Sequence, residues 1–221
     1  MPASGIRPGS PPTIGALSQA LDPPLVGHPR RDEHARVAAL LYESATGLYG
    51  RFAGSRELAL RGIEAALESP GNSVSLETVV VARIGSEAAG VMATFPVAEA
   101  GRRARRFVRI ARRASPPRSR WRMWRANRAE ARAVPPAPAD AFYVDALASD
   151  PRFRRRGVAL ALLAAAEAQA RDAGLSRVAL ITELHNEAAR SLYRRAGFAE
   201  GQQRPPKGDL PGFVALSKLL P

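Results

Sequence analysis

From Asp32 onward, apolar residues recur at helical spacing. In DEHARVAALLYESATGLYG, Val37, Leu40, Leu41 and Ala45 share one face behind acids in the first turn, which predicts a helix. A second helix is predicted over Ser55 to Leu67, with Ser55 as N-cap, Glu57 and Arg61 four residues apart, and SPGN as the stop. The period then shortens to that of strands. LETVVVARIG, 76–85, and EAAGVMATFPVA, 87–98, read as a hairpin. AFYVDALAS, 141–149, and RVALITE, 177–183, read as a third and fourth strand around a helix from Gly157 to Ala173, closed by Gly174. Strand, helix, strand within so few residues predicts a right-handed βαβ unit. A last helix, Asn186 to Ala196, ends at Gly197, and two short strands follow near Phe198 to Gln202 and over 213–220. The fold class expected is α/β (α+β), a mixed central sheet flanked by helices.

Composition refines this order. Residues 1–31 are rich in Pro, Gly and Ser without periodicity, which predicts a mobile arm ahead of one domain over 32–221. A hydrophobic content of 46% in 221 residues is enough for a real core. The chain has no cysteine, which excludes disulfides, thiolate metal sites and thiol nucleophiles. The longest nearly apolar run, VALALLAAA at 158–166, is too short to span a bilayer, and the first twenty residues lack a signal-like core. A cytoplasmic location is expected. The formal charge is +13, but residues 102–132 hold 13 arginines and a single acid, Glu130, so almost all the excess belongs to one segment.

One stretch demands a chemical reading: DPRFRRRGVALALL, 150–163, packs four arginines and a glycine against the start of a helix. The first amides of a helix have no carbonyl partner within it, and the helix dipole adds positive charge there. Gly157 admits a close backbone approach, Ala159 is small, and Arg154, Arg155 and Arg156 supply charge. The pattern fits a pyrophosphate cradle. It lacks the Lys-Ser/Thr of a Walker loop and the G-x-G-x-x-G of a dinucleotide fold. The competing reading is an arginine-capped surface turn.

LASDPRFRRRGVA, 147–159, followed by NEAARSLYRRAGF, 186–198, resembles the GNAT N-acetyltransferase superfamily. The first carries Arg154, Gly157 and Ala159 of an R-x-x-G-x-A loop. The second carries Asn186, Ala189, Tyr193, Gly197 and Phe198. The resemblance covers about 76–100 and 140–220. It implies acetyl-CoA as donor and direct transfer to an amine. It implies that the Leu147 backbone amide polarises the thioester, that Leu147, Ala148 and Ser149 pair with the pantetheine arm, and that the loop Arg154 to Ala159, Val158 included, grips the pyrophosphate. Tyr193 is implied as the acid for the departing thiolate, its other reading being a packing residue. Asn186 reads as a helix N-cap that also reaches the cofactor arm. For the base, Asp145 and Glu183 rank above His185. By strand alternation Asp145 and Leu147 share a face. His28 and His34 lack partners at ligand spacing, so no metal site is expected. The acceptor, a small-molecule or peptide amine, is not legible, nor is the acyl chain length; a homodimer is compatible with the terminal strands.

Residues 99–139 lie outside the resemblance. They read as two short amphipathic helices split by SPP, with Phe107, Val108, Ile110 and Ala111 on one stripe and Trp121 and Trp124 three apart. Three readings compete: a packed lid whose arginines reach solvent, a substrate lid, or a surface for nucleic acid or anionic membrane. The last is also the rival function, a basic binding module on a catalytically idle fold.

Overall fold

A computed structural model of the chain describes residues 23–221. The segment 1–22, most of the expected arm, lies outside the described residues. The rest of that arm is partly fixed: Leu25–Gly27 form strand β1, paired antiparallel with β2, Val79–Ile84. The hairpin partner β3 spans Glu87–Pro96, β4 Phe142–Ser149, β5 Arg177–Glu183, β6 Ala199–Arg204 and β7 Phe213–Leu219. They make one seven-stranded sheet in the order β1-β2-β3-β4-β5-β7-β6. Only β4 and β5 pair in parallel. Their crossover is helix α6, Val158–Asp172, which Gly157 opens and Gly174 follows.

Among the described residues seven α-helices surround this sheet: α1 His34–Ser44, α2 Thr46–Ala53, α3 Arg56–Leu67, α4 Val97–Arg113, α5 Arg120–Ala133, α6, and α7 Glu187–Arg195. None is long and apolar enough to cross a membrane. The single helix expected from Asp32 breaks at Ala45, whose φ of −154° and ψ of 54° leave the helical region, so α1 and α2 turn apart. Ser55 caps α3 as expected, its hydroxyl accepting from the Leu58 amide at 3.2 Å.

Two cores form on the two faces. On one, Leu162, Leu163 and Ala166 of α6 and Tyr193 of α7 pack on Met92, Phe142, Val144, Val178 and Leu180. On the other, Val37 and Leu41 of α1 and Ile63 and Leu67 of α3 pack on Val79, Val91, Ala93, Ala146 and Ala148. Gly90 sets the height of α6 on the sheet. An added Cβ there would lie 2.5 Å from Val158 and 2.9 Å from the Ala148 carbonyl oxygen, so only glycine lets the first residue of α6 come down.

The insertion is packed. Its two helices are α4 and α5, split at Ser115 to Pro117 as the sequence suggests. Ala111 and Met123 are buried with Phe52, Ala53 and Ala59, and Phe107 and Val108 close the same cluster. Most of the insertion's arginines are exposed, though Arg103 is largely covered and pairs with Glu99, and the apolar stripe of α4 packs toward α2 and α3. Met123 is the inward residue of α5. Trp121 and Trp124 are 65% and 48% exposed.

Candidate functional site

The site begins with a failure of strand pairing. β4 and β5 pair only through Phe142–Val178, Tyr143–Ala179 and Val144–Leu180. Beyond these, β4 stays with β3 and β5 stays with β7, out to Ser149 and Glu183 respectively. The carboxyl halves of two neighbouring strands therefore present open backbone edges to each other. That is the kind of place where an extended ligand can add itself as a strand.

A β-bulge marks where the splay starts. Ala93 pairs with Ala146 and Thr94 with Val144, leaving Asp145 without a cross-strand partner. It turns the strand over. Phe142 and Val144 belong to the α6 face, whereas Ala146 and Ala148 belong to the α1 and α3 face. This corrects one expectation: Asp145 and Leu147 do not share a face. Leu147 packs toward the α6 core. Asp145 lies on the side of Ser73, in the loop after α3, which favours its ionised form.

The amide of Asp150 donates to the Ala89 carbonyl at 2.8 Å, toward β3. Alternation along the strand turns the amides of Leu147 and Ser149 the other way, to the open edge, with Ala148 directed at β3. The Ser149 hydroxyl oxygen is buried and has no hydrogen-bond partner.

The loop that follows is held from below. Asp150 is buried, accepts from the Arg152 amide at 2.8 Å and from its guanidinium at 2.9 Å, and pairs with Arg36. Burial works against its charge, yet these hydrogen bonds and charges hold its carboxyl below the ordinary value. Arg152 and Arg156 cover the ring of Phe153 at 5.2 and 5.5 Å. Arg154 and Arg155 are exposed. Arg155 has φ 61°, the only positive φ outside glycine among the described residues, and Gly157 has φ 78°. A side chain at Gly157 would meet no protein atom within 4 Å. The glycine is thus required by its backbone angle, and the space beside it is open. No side chain caps α6, so the first-turn amides around Val158 and Ala159 keep their donors. Free first-turn donors, a strained loop, two exposed arginines and an orphaned hydroxyl fit the diphosphate and arm of a coenzyme A thioester.

Across the splay stand the titratable groups. Tyr193 of α7 is buried, its ring 6.0 Å from Phe198, and burial pushes its phenol up to about 12. Among the described residues its hydroxyl has no hydrogen-bond partner, unlike Asn186, whose side chain accepts from the Ala189 amide at 3.2 Å as the cap of α7. Glu183 ends β5 half-buried, 3.2 Å from His185, which is largely exposed. The Asp145 side chain is exposed to solvent on β4, yet the surrounding protein still penalises its charge. This desolvation, only partly offset by Ser73, raises its carboxyl to about 6.

Sequence reasoning missed four participants. Glu130 of α5 is raised to about 7, by desolvation and by repulsion from Asp145, with Arg51 pulling the other way. Tyr49 and Tyr143 are raised by burial and by Asp145 and Glu130. The Nε and Nη2 atoms of Arg51 are buried without hydrogen bonds. A Cβ at Gly47 would stand 3.7 Å from Arg51 and 4.0 Å from Glu183, so these two side chains approach the same glycine of α2. One signal was available: Glu130 is the sole acid among 13 arginines and follows Met123 by seven residues, two helical turns.

A model of the Acetyltransferase (GNAT) family matches residues 76–198. No curated protein matches the chain. Solved structures share its fold at low identity. An N-acetyltransferase from Staphylococcus aureus Mu50 is 16% identical, covers 87% of this chain and 99% of its own, and has a TM-score of 0.66. A structure described as an acetyltransferase is 17% identical over 89% and 100%, with a TM-score of 0.63. The histone acetyltransferase HPA2 and related acetyltransferase from Corynebacterium glutamicum ATCC 13032 is 20% identical over 90% and 98%, with a TM-score of 0.59.

Proposed function

The chain belongs to the acetyltransferase (GNAT) family, and on that premise we propose that it moves an acetyl group from acetyl-CoA directly to the amine of a small-molecule or peptide acceptor. The observation that carries this reading is the pair of open edges above Val144 and Leu180, set beside the uncapped start of α6. The diphosphate of the donor lies on the amides of Gly157, Val158 and Ala159, with Arg154, Arg155 and Arg156 around it. Its pantetheine arm follows Leu147, Ala148 and Ser149 as an added strand, and Asn186 lines the far side with its side-chain amide. The absence of cysteine fits transfer without a thioester on the protein.

In the reaction the amine nitrogen attacks the thioester carbonyl carbon. The new C–N bond forms, the C–S bond breaks, and the pair of electrons leaves on sulfur. The outward amide of Leu147 stabilises the oxyanion, a contribution worth about 10²–10³ in rate for such a donor. Tyr193 is protonated at neutral pH because burial holds its phenol near 12. Against an ordinary thiol, near 8.5, full proton transfer is uphill by about three and a half pK units. Its part is therefore a hydrogen bond to the developing thiolate, completed as a proton transfer when solvent returns. The base that takes the amine proton is Asp145 or Glu183.

Release of free thiol from acetyl-CoA across an amine panel, with calorimetric binding of acetyl-CoA, tests this. Failure to bind acetyl-CoA refutes the donor site, and binding without transfer to any amine refutes the reaction. A second reading, a basic module for nucleic acid or anionic membrane, draws on Trp121 and Trp124, exposed with Arg125 and Arg128 over their rings at 4.7 and 5.7 Å. Salt-dependent binding to either surface, with no acetyl transfer, would favour it.

A further inference from the structure

The loop after α3 and the first half of α4 enclose a groove of about 470 Å³ that uses no residue of the donor cradle. Arg102, Arg105, Arg106 and Arg109 of α4 recur at three- and four-residue spacing and line one side of it, opposite the stripe through Phe107 and Ala111 that packs on the core. Pro70, Gly71 and Glu77 make the other wall. That wall is braced. Asn72 is fully buried, its side chain donating to the Ala66 and Ser69 carbonyls at 2.7 and 2.6 Å and accepting from the Val74 amide at 2.9 Å. Gly71 takes φ 76° to turn the chain, and its amide donates to Glu77 at 3.0 Å. The helix is stitched to the wall by Arg106, whose Nε donates to the Pro70 carbonyl at 2.6 Å, and by Arg103, which donates to the Asn72 carbonyl at 3.2 Å. The second helix of the insertion is fixed at both ends. The Arg122 guanidinium donates to the Ala53 carbonyl of α2 at 2.7 Å, and the Arg204 guanidinium of β6 donates to the Arg132 carbonyl at 2.8 Å. The groove is therefore preformed.

Its charges are out of balance. Arg103 takes up the nearby acids, 3.6 Å from Glu77 and 2.6 Å from Glu99, and Arg102 stands 3.4 Å from Glu99. Arg105 and Arg109 are exposed and have neither hydrogen bond nor ion pair among the described residues. We propose that this groove is a second binding site, for a chain of phosphate groups such as a nucleic-acid backbone or an inorganic polyphosphate. The row from Arg102 to Arg109 runs about 10 Å along the helix, too long for one phosphate and matched by several in succession. Each guanidinium fork can hold two oxygens of a phosphate at once. Pro70 is the only apolar side chain lining the groove, so a protein partner finds no pocket for an anchoring residue. No aromatic ring lines it either, so bases would go unread and the phosphates carry recognition. Trp121 and Trp124 belong to the other helix of the insertion and take no part. The site goes beyond the transferase reading and holds for an active enzyme as for an idle one.

The test uses the full chain and fluorescence anisotropy with a labelled oligouridine of about twelve nucleotides, with unlabelled sodium polyphosphate as competitor. The native protein binds the RNA at low salt, and polyphosphate displaces it. Arg105→Ala/Arg109→Ala weakens binding about tenfold, and the slope of log K against log salt becomes shallower by about 1.4, the share of two phosphate contacts on a single strand. Neither arginine has a partner in the fold, so the unfolding midpoint of this variant stays native. Arg105→Lys/Arg109→Lys keeps the slope and part of the affinity, because the charge remains while the fork is lost. Arg125→Ala/Arg128→Ala removes the same charge from the tryptophan face and leaves affinity within about twofold. Polyphosphate that binds by calorimetry where the RNA does not assigns the site to the free chain, and RNA that binds more tightly for the same number of phosphates assigns it to the nucleic-acid backbone. The proposal is overturned if neither polyanion binds at low salt, if the two alanine double variants lose affinity equally, or if polyglutamate displaces the RNA as readily as polyphosphate does.

Discussion

Arg83 reaches from β2 to Glu33 with two parallel hydrogen bonds, Nε to Oε1 at 2.7 Å and Nη2 to Oε2 at 2.5 Å, and both side chains are buried. The guanidinium also donates to the His28 carbonyl at 2.7 Å. Removing one partner strands the other charge, so Arg83→Ala should cost about 3–5 kcal/mol in denaturant unfolding. The hydrogen bond from Arg83 holds the Glu33 carboxyl below its ordinary value. The sign follows: the pair's contribution is full above the unfolded value, near 4.3, and is lost as pH falls through the lower folded value. Tyr193 gives a second expectation at this scale. Tyr193→Phe should lower kcat about 10²-fold, as read by thiol release, with acetyl-CoA affinity within twofold of the native protein. A parallel loss of affinity would make the ring a packing element instead. The open start of α6 at Gly157 was legible in the sequence because its signal is local, a glycine and arginines at a helix start. Asp145 was legible as a carboxylate, but its orientation was not. The bulge depends on Ala93 and Thr94, some fifty residues earlier, and a strand's own alternation carries no trace of it.

At the scale of elements, the contact between β3 and α6 sets the cradle's height. Gly90→Ala pushes Val158 away from the Ala148 carbonyl, where a Cβ would lie at 2.9 Å. The expected outcome is a loss of about 1–3 kcal/mol in stability and weaker acetyl-CoA binding by calorimetry, with Tyr193 and Asp145 left in place. Unchanged binding in a folded variant would detach the height of α6 from donor recognition. Element order was almost wholly readable, since each strand and helix from β2 to β7 carries its own period. Two features were not. β1 is three residues long, too short for any period, and its existence depends on the Leu25–Arg83 register. The break at Ala45 separates stretches that both read as helix; the turn is made by packing Phe52 and Ala53 against α3 and α5. The insertion shows the same division. Its helices follow from sequence, whereas the covering of α2 by Met123, with Glu130 directed inward, is a tertiary fact.

At the scale of the whole molecule, charge is sorted by depth. Most arginines of α4 and α5 are exposed, while Asp145 and Glu183 stand where β4 and β5 part. A positive exterior draws in a polyanionic donor, so the association rate of acetyl-CoA should fall about tenfold between low and physiological salt in stopped-flow binding, with dissociation little altered. A salt-independent rate would confine recognition to short range. The placement of α5 has a further consequence. The two wings of the sheet meet through three residue pairs, and one helix is moored to both, by Arg122 on one wing and Arg204 on the other. Whatever wedges the wings apart must tug on both moorings, and whatever clamps the helix must narrow the wedge. On the proposed transferase reading, a ligand held in the splay and the seating of this one short helix are mechanically linked.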